Sequence, residues 1–181
     1  MARNADTINY SEDYYWGFAK IYHCRNMKTV IDLGDLKNET GLILDFGCGV
    51  GHLKKMLNKK NVIGYDVIQE LSDADEYRNL KPKKIILISV LEHLYLDKID
   101  RLLKEFLEMN PEAELLILLP TENFVSKIAM RIAGQPNAHD DHVSKYGEIN
   151  KVIEKYYYPK KRIYNFWRMA QITKYTNINY R

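Results

Sequence analysis

The stretch Leu42-Ile-Leu-Asp-Phe-Gly-Cys-Gly-Val-Gly-His-Leu53 decides the fold of this 181-residue chain. It begins as an apolar run, passes through Asp45, and continues into glycines at positions 47, 49 and 51. The apolar run predicts a buried strand, and Leu53, Met56 and Leu57 have the spacing of one helix face. Glycines tolerate the positive φ of a sharp turn and let a ligand approach the backbone. The stretch therefore predicts a strand, a glycine turn and a helix whose N-terminus faces a ligand.

The spacing of the glycines narrows the class of ligand. A dinucleotide-binding turn carries Gly-x-Gly-x-x-Gly, but here the third glycine comes one place early and His52 occupies the expected position. The Lys-Ser/Thr pair of a phosphate-binding loop is also missing from this turn. Asp45, directly before the glycines, repels a pyrophosphate and attracts a cation. The turn therefore predicts a cationic ligand.

The rest of the chain alternates apolar runs with amphipathic segments. Buried strands are predicted at Leu42–Phe46, Val62–Asp66, Lys84–Ser89 and Glu114–Leu119. Helices are predicted from Ser11, from Gly51, from an Asp97 cap to Asn110-Pro111, over 122–133, and from a Ser144 cap to about Tyr156. Residues Lys161–Asn177 predict an antiparallel pair at the sheet edge. This order predicts an α/β fold with a mainly parallel sheet and helices on both faces.

One domain over residues 1–181 is expected, in three parts. Residues 1–34 carry a helix with Tyr14, Phe18, Ile21, Tyr22 and Arg25 on one stripe, which either packs on the core or closes over the ligand pocket as a lid. Residues 41–120 form the ligand-binding core, and residues 121–181 contribute the last helices and strands.

Composition places the chain among ordinary globular proteins, with 46% hydrophobic and 28% charged residues. A net charge of +3 is weak support for nucleic-acid binding. Cys24 and Cys48 match no metal-ligand spacing and predict no structural disulfide. There is no signal-peptide pattern and no apolar run long enough to cross a bilayer. We therefore expect a cytoplasmic protein.

Three further segments connect the glycine turn to a known family. Leu-Asp-Phe-Gly-Cys-Gly-Val-Gly at 44–51 and Gly64-Tyr-Asp66 resemble the first two motifs of class I S-adenosylmethionine-dependent methyltransferases. Ser89-Val-Leu-Glu-His-Leu94 and His142-Val-Ser-Lys-Tyr are similar to segments of the small-molecule branch of that family. The resemblance covers about residues 40–160 and implies a Rossmann-like fold with S-adenosylmethionine as cofactor.

The resemblance also implies roles for individual residues. Asp45 suits the amino group and sulfonium of the cofactor, and the backbone at Gly47 and Gly49 lies against its methionine portion. Asp66 accepts both ribose hydroxyls, although a simple turn acid is the alternative. The remaining cofactor-binding residues expected from the resemblance are Cys48 (as a packing residue), Val67 with Ile68 at the adenine, Val90, and Tyr15 beside Tyr14 and Trp16 as a closing segment.

The segment Val62–Ser89 departs from the family pattern because it is too short for two crossovers. One βαβ unit alone needs about 30 residues. Strand three of the family is therefore predicted to be vestigial or absent. The acid that binds the adenine amino group follows that strand in the family, which leaves Asp73 and Asp75 as candidates. Lys84 replaces an acid that usually starts the next strand.

Catalysis in this family depends on positioning, with a base where the acceptor is an oxygen or nitrogen. His93, just after the third predicted strand, is either that base or a structural residue, and Glu92 is expected to orient or cap. His139-Asp-Asp-His142 has metal-ligand residue types, but we expect a solvated loop or pocket rim and no metal.

The sequence thus predicts a methyltransferase with a small-molecule acceptor and no nucleic-acid partner. The alternative is a catalytically silent member that binds the cofactor or a partner protein. An RNA methyltransferase is disfavoured because no clustered basic stripe is present.

Overall fold

The structure, a computed structural model, describes residues 17–121, 143–165 and 168–180, with side chains from residue 20 onward. Its helices are α1 (Gly17–Gly34), α2 (His52–Leu57), α3 (Leu96–Met109) and α4 (Tyr146–Ile153). Its strands are β1 (Ile43–Phe46), β2 (Val62–Tyr65), β3 (Lys84–Ile88), β4 (Glu114–Pro120), β5 (Tyr157–Asn165) and β6 (Ala170–Asn177). Tyr14–Trp16, the predicted helix at 122–133 and His139–His142 lie outside the described residues.

The described strands form one sheet in the order β2-β1-β3-β4-β6-β5. β1 pairs in parallel with β2 and β3, and β4 continues the parallel part beside β3. β6 is antiparallel to β4, and β5 is antiparallel to β6 at the edge. The predicted α/β fold with a mainly parallel sheet and an antiparallel C-terminal edge hairpin is therefore confirmed.

Residues 66–83 connect β2 to β3 and contain a single 3₁₀ turn, Gln69–Leu71, and no strand. The absence of strand three is therefore confirmed for this fully described segment. β2 becomes the edge of the sheet as a result. The carboxyl ends of β1, β2 and β3 remain adjacent, which is where ligands bind in open α/β sheets.

The central strands β1, β3 and β4 are buried on both faces of the sheet, as their unbroken apolar runs require. In β3, Ile85 and Leu87 belong to the core on the α3 face with Phe106, whereas Ile86 belongs to the core on the α1 face with Val30. All four of these side chains and that of Val30 are fully buried, with 0% of their surface exposed. Each such burial contributes about 1.5–3 kcal/mol, which holds the strand ends in a fixed arrangement.

Two of the helix starts differ from the prediction. The first helical hydrogen bond of α3 runs from Ile99 N–H to the Tyr95 carbonyl (3.0 Å), so Tyr95 is the N-cap. Asp97 lies in the first turn and pairs with Arg101 (2.9 Å). In α4 the N-cap is Lys145, and the Ser144 hydroxyl instead donates to the Leu94 carbonyl at 2.7 Å.

Other boundaries are also corrected. α4 ends at Ile153 instead of Tyr156, because the chain turns there into β5, which begins at Tyr157 and not at Lys161. Within α1, Ile21 is 62% exposed and lies off the buried stripe that Tyr22 belongs to.

None of the described helices is long and apolar enough to cross a membrane.

Candidate functional site

The glycine turn after β1 has the backbone conformation that the sequence predicts. Gly47, Gly49 and Gly51 have φ values of 75°, 51° and 74°, all in the left-handed region. The N–H groups of Gly47 and Cys48 donate to the Tyr65 carbonyl at 2.7 and 3.1 Å. The turn is therefore tied to the end of β2.

Replacing Gly47 by Ala is expected to lower the free energy of unfolding by about 1–3 kcal/mol. A Cβ there would lie 2.5 Å from Val90 Cγ2, on a residue whose φ is +75°. Urea denaturation measures the change. Gly147→Ala is the matched control, because its Cβ would meet nothing within 4 Å inside α4. That control is expected to gain about 0.5–1 kcal/mol. Equal effects of the two substitutions would contradict the geometry.

Asp66 joins the glycine turn to the segment after β2. Its Oδ2 accepts the Gly49 N–H at 2.9 Å, and its Oδ1 accepts the Ile68 N–H at 3.0 Å. A carboxylate has about four acceptor positions, so each oxygen retains the capacity to accept one more hydrogen bond. Two such oxygens on a half-buried side chain suit a vicinal diol.

Asp45, at the end of β1, is buried with only 4% of its surface exposed. Among the residues that the structure describes, none donates a hydrogen bond to its carboxyl group. Burial and the neighbouring carboxylates of Asp66 and Asp73 raise the pKa of Asp45 from 3.8 to about 7. A buried carboxylate without a counter-charge is costly, so the site favours a ligand that brings a cation.

Cys48 acts as a packing residue in this turn. Its thiol donates to the Leu71 carbonyl (3.4 Å), and a Cβ on Gly64 would lie 2.7 Å from its Sγ. Burial, with the charges of Asp45, Asp66 and Asp73, raises the pKa of the thiol to about 12. A thiol with such a pKa stays protonated and is a poor nucleophile.

Asp73 borders a different groove from the one that Val67 and Val90 line. Both of its oxygens accept from Lys54 Nζ at 2.8 Å, and Oδ2 accepts the Gly64 N–H at 2.7 Å. Although desolvation opposes it, these donors keep the pKa of Asp73 below its usual value. Together with Asp45, it borders a groove of about 850 Å³ beside β2.

A second cavity, of about 480 Å³, opens on the other side of the turn. It brings together five of the residues singled out from the sequence, namely Gly47, Asp66, Val67, Val90 and His93. Val67 is 87% exposed at its mouth, which is unusual for an apolar side chain. The cavity is also lined by Tyr77, Arg78 and Glu105, which belong to no recognisable sequence motif.

Asp45, Cys48, Gly49 and Asp73 border the first groove and not this cavity. Asp75 borders neither, and its Oδ1 accepts from Gln69 Nε2 at 2.6 Å. The structure therefore does not bring either predicted adenine acid to Val67. Tyr15 lies outside the described residues, and so does the histidine pair at 139 and 142. Within the described ranges, no group of His, Cys, Asp and Glu side chains is arranged to hold a metal ion.

His93 and Glu92 occupy the 3₁₀ turn Leu91–His93 but have opposite environments. His93 is exposed on the cavity side, whereas Glu92 is 2% exposed. The Glu92 carbonyl accepts N–H groups from Val143 (2.9 Å) and Ser144 (3.3 Å). Burial raises the pKa of Tyr22 in α1 to about 12, and the charge of Glu92 adds to this effect. The phenol of Tyr22 in α1 is therefore close enough to Glu92 for the two side chains to interact electrostatically.

The donor and acceptor groups of the site fit S-adenosylmethionine. Asp45 offers a buried negative charge to a cation, Asp66 offers two acceptors to a ribose diol, and Val67 lies exposed beside it. A family model described as a methyltransferase domain matches residues 17–174. The chain belongs to the methyltransferase domain family. Solved methyltransferases that share this fold carry bound S-adenosylmethionine or S-adenosyl-L-homocysteine (SAH).

Solved structures of methyltransferases share the fold. Magnesium protoporphyrin IX methyltransferase (ChlM) from Synechocystis PCC 6803, solved with bound SAH, is 15% identical with a TM-score of 0.63, covering 93% of this chain and 90% of that one. The N-methyltransferase NodS from Bradyrhizobium japonicum WM9, in complex with SAH, is 13% identical with a TM-score of 0.61. The match covers 87% of this chain and 88% of that one. The PH0226 protein from Pyrococcus horikoshii OT3, whose name gives no activity, also has this fold: it is 12% identical with a TM-score of 0.61, and the match covers 89% of this chain and 100% of that one. No curated protein sequence matches the chain significantly.

Proposed function

We propose that this protein binds S-adenosylmethionine at the Gly47–Gly51 turn and transfers its methyl group to a small-molecule acceptor. The observation that carries the proposal is Asp45, a buried carboxyl without a hydrogen-bond donor among the described residues. A cationic ligand beside the glycine turn would neutralise this carboxyl, and the glycines leave the backbone accessible there. The likeness to ChlM, named for a small-molecule substrate, magnesium protoporphyrin IX, supports the same class of acceptor.

Each residue of the site has a defined role in this proposal. The bound cofactor supplies a methyl group activated by its sulfonium. Asp45 stabilises the positive charge of the methionine portion, and the glycines allow the backbone to approach it. Asp66 accepts the ribose hydroxyls while it keeps the turn closed through Gly49. Val67 and Val90 form apolar sides of the nucleoside pocket.

Transfer itself depends on holding the acceptor in line with the methyl group and excluding water. An oxygen or nitrogen acceptor also has to lose a proton, and His93 is the candidate base. It is exposed in the cavity that contains Asp66 and Val90, so an acceptor can reach its imidazole. Glu92 is proposed to position this turn through its carbonyl contacts with Val143 and Ser144.

Replacing His93 by Gln is expected to lower kcat by about 100-fold and leave SAH affinity nearly unchanged. The acidic limb of the pH–rate profile is expected to disappear with it. SAH release is measured with a panel of amine, phenol and carboxylate acceptors, and binding is measured by calorimetry. Lys98→Gln, in the same cavity, is the matched control. A fully active His93→Gln variant would remove the proposed base.

The same assay distinguishes the enzyme from a silent relative that only binds the cofactor. Turnover to SAH with any small acceptor supports transfer. Binding of SAH with no turnover across the panel favours the silent alternative.

A further inference from the structure

Tyr77, in the shortened crossover between β2 and β3, covers one face of the sheet by packing on Phe46 and Tyr65. It is 5% exposed, and its ring centroid lies 4.6 Å from that of Tyr65 and 5.0 Å from that of Phe46. Its hydroxyl donates to Glu105 Oε2 on α3. The crossover between β2 and β3 is therefore fastened to α3 through one buried tyrosine.

Arg78 and Glu105 form an ion pair directly beside this tyrosine. Arg78 Nε lies 3.2 Å from Glu105 Oε2, and Arg78 Nη2 lies 3.5 Å from Oε1. The guanidinium also lies 4.8 Å from the Tyr77 ring centroid and contacts Glu76 at 3.0 Å. Four contacts thus fix the orientation of the guanidinium, as in a preorganised recognition site.

The ion pair borders the cavity that contains Asp66 and Val67. Among the described residues, Glu105 Oε1 has only the long contact to Arg78, so it can accept a further hydrogen bond. A carboxylate acceptor next to a guanidinium donor matches the edge of adenine, where an amino donor adjoins a ring-nitrogen acceptor. Asp73, bound to Lys54 in the other groove, does not offer this pair.

We propose that Glu105 and Arg78 recognise the adenine edge of the cofactor, Glu105 accepting from the amino group and Arg78 donating to the ring nitrogen. This assignment rests on the proposed function, because it requires the ribose to be held by Asp66. In the family, an acid after strand three binds the adenine amino group. In this chain the same role is assigned to Glu105 on α3, together with Arg78 of the shortened crossover. Specificity for adenine then depends on the same network that closes the sheet face.

The test compares SAH with S-inosylhomocysteine, in which a carbonyl oxygen replaces the adenine amino group. Calorimetry of the wild type is expected to show at least about tenfold tighter binding of SAH, since a carboxylate disfavours that oxygen. In Glu105→Gln the ratio is expected to fall below about threefold, because the amide presents either a donor or an acceptor. Thermal unfolding verifies that the variant is folded.

Two matched controls are Asp73→Asn and Glu108→Gln, the latter an exposed acid one turn further along α3. Both are expected to keep the wild-type ratio. An unchanged ratio in Glu105→Gln, or a lost ratio in Asp73→Asn, would overturn the assignment while leaving cofactor binding intact. Failure of the wild type to bind either ligand would overturn the proposed function, and this assignment with it.

Discussion

Replacing Asp66 by Ala is expected to reduce the affinity for SAH by more than about 100-fold. Hydrogen bonds to a charged group contribute about 1.5–3 kcal/mol each, and two of them join this carboxylate to the ribose in the proposed complex. Each 1.4 kcal/mol corresponds to about tenfold in affinity. The substitution also removes the contacts to the Gly49 and Ile68 N–H groups at 2.9 and 3.0 Å.

Calorimetric titration of SAH into both proteins measures this loss. Asp75→Ala is the control, because Asp75 is an exposed acid of the same crossover that contacts Gln69 and borders neither cavity. It is expected to bind SAH with wild-type affinity. If Asp66→Ala binds SAH as tightly as the wild type, the ribose does not lie at the end of β2.

Replacing Asp45 by Asn is expected to stabilise the free protein and to weaken cofactor binding. The pKa of Asp45 is raised from 3.8 to about 7 by burial and by the charges of Asp66 and Asp73. The folded state therefore retains the proton to a higher pH than the unfolded state does. As a result, Asp45 makes folding less favourable as the pH rises from about 4 to 7, and the loss is complete above that range.

The difference in free energy of unfolding between Asp45→Asn and the wild type is expected to depend on pH. The stability advantage of Asp45→Asn over the wild type is expected to grow by roughly 2–4 kcal/mol between about pH 4 and pH 8. Urea denaturation at several pH values measures it. A constant advantage across that range would mean that Asp45 titrates normally and is not held without a counter-charge.

The affinity for S-adenosylmethionine is expected to have the opposite pH dependence. A cation next to Asp45 favours the ionised carboxyl, so wild-type affinity falls by up to about tenfold per pH unit below pH 7. The Asp45→Asn variant is expected to bind weakly with little pH dependence. If the variant binds as tightly as the wild type near pH 8, Asp45 does not contact the charged portion of the cofactor.

Features encoded in short stretches of sequence were predictable. The apolar run before Asp45 specifies a strand buried on both faces, and the glycines specify a turn with positive φ, whatever the rest of the chain does. The length of Val62–Ser89 excludes a second crossover on covalent grounds alone, so the missing strand was predictable as well. The position of Asp66 directly after β2 was predictable too, because it ends the second apolar run.

Features that depend on contacts between residues distant in sequence were not predictable. Asp73 has the residue type of an adenine acid, but Lys54 on α2 holds it on the other side of the turn. Tyr77 and Glu105 are 28 residues apart, and nothing in the sequence indicates that they form a hydrogen bond. The contact exists only because the crossover packs across the sheet toward α3. A clue was available, because a shortened crossover leaves a sheet face that some large side chain has to cover.

The central claim is that the glycine turn and Asp45 bind an S-adenosyl cofactor. Calorimetric titration of S-adenosylmethionine into the wild-type protein near pH 8 tests it most directly. We expect saturable binding of one cofactor molecule per chain, weakened below pH 7 and lost in Asp66→Ala. Absence of binding to the folded wild type, or equal binding by Asp66→Ala, would contradict the account.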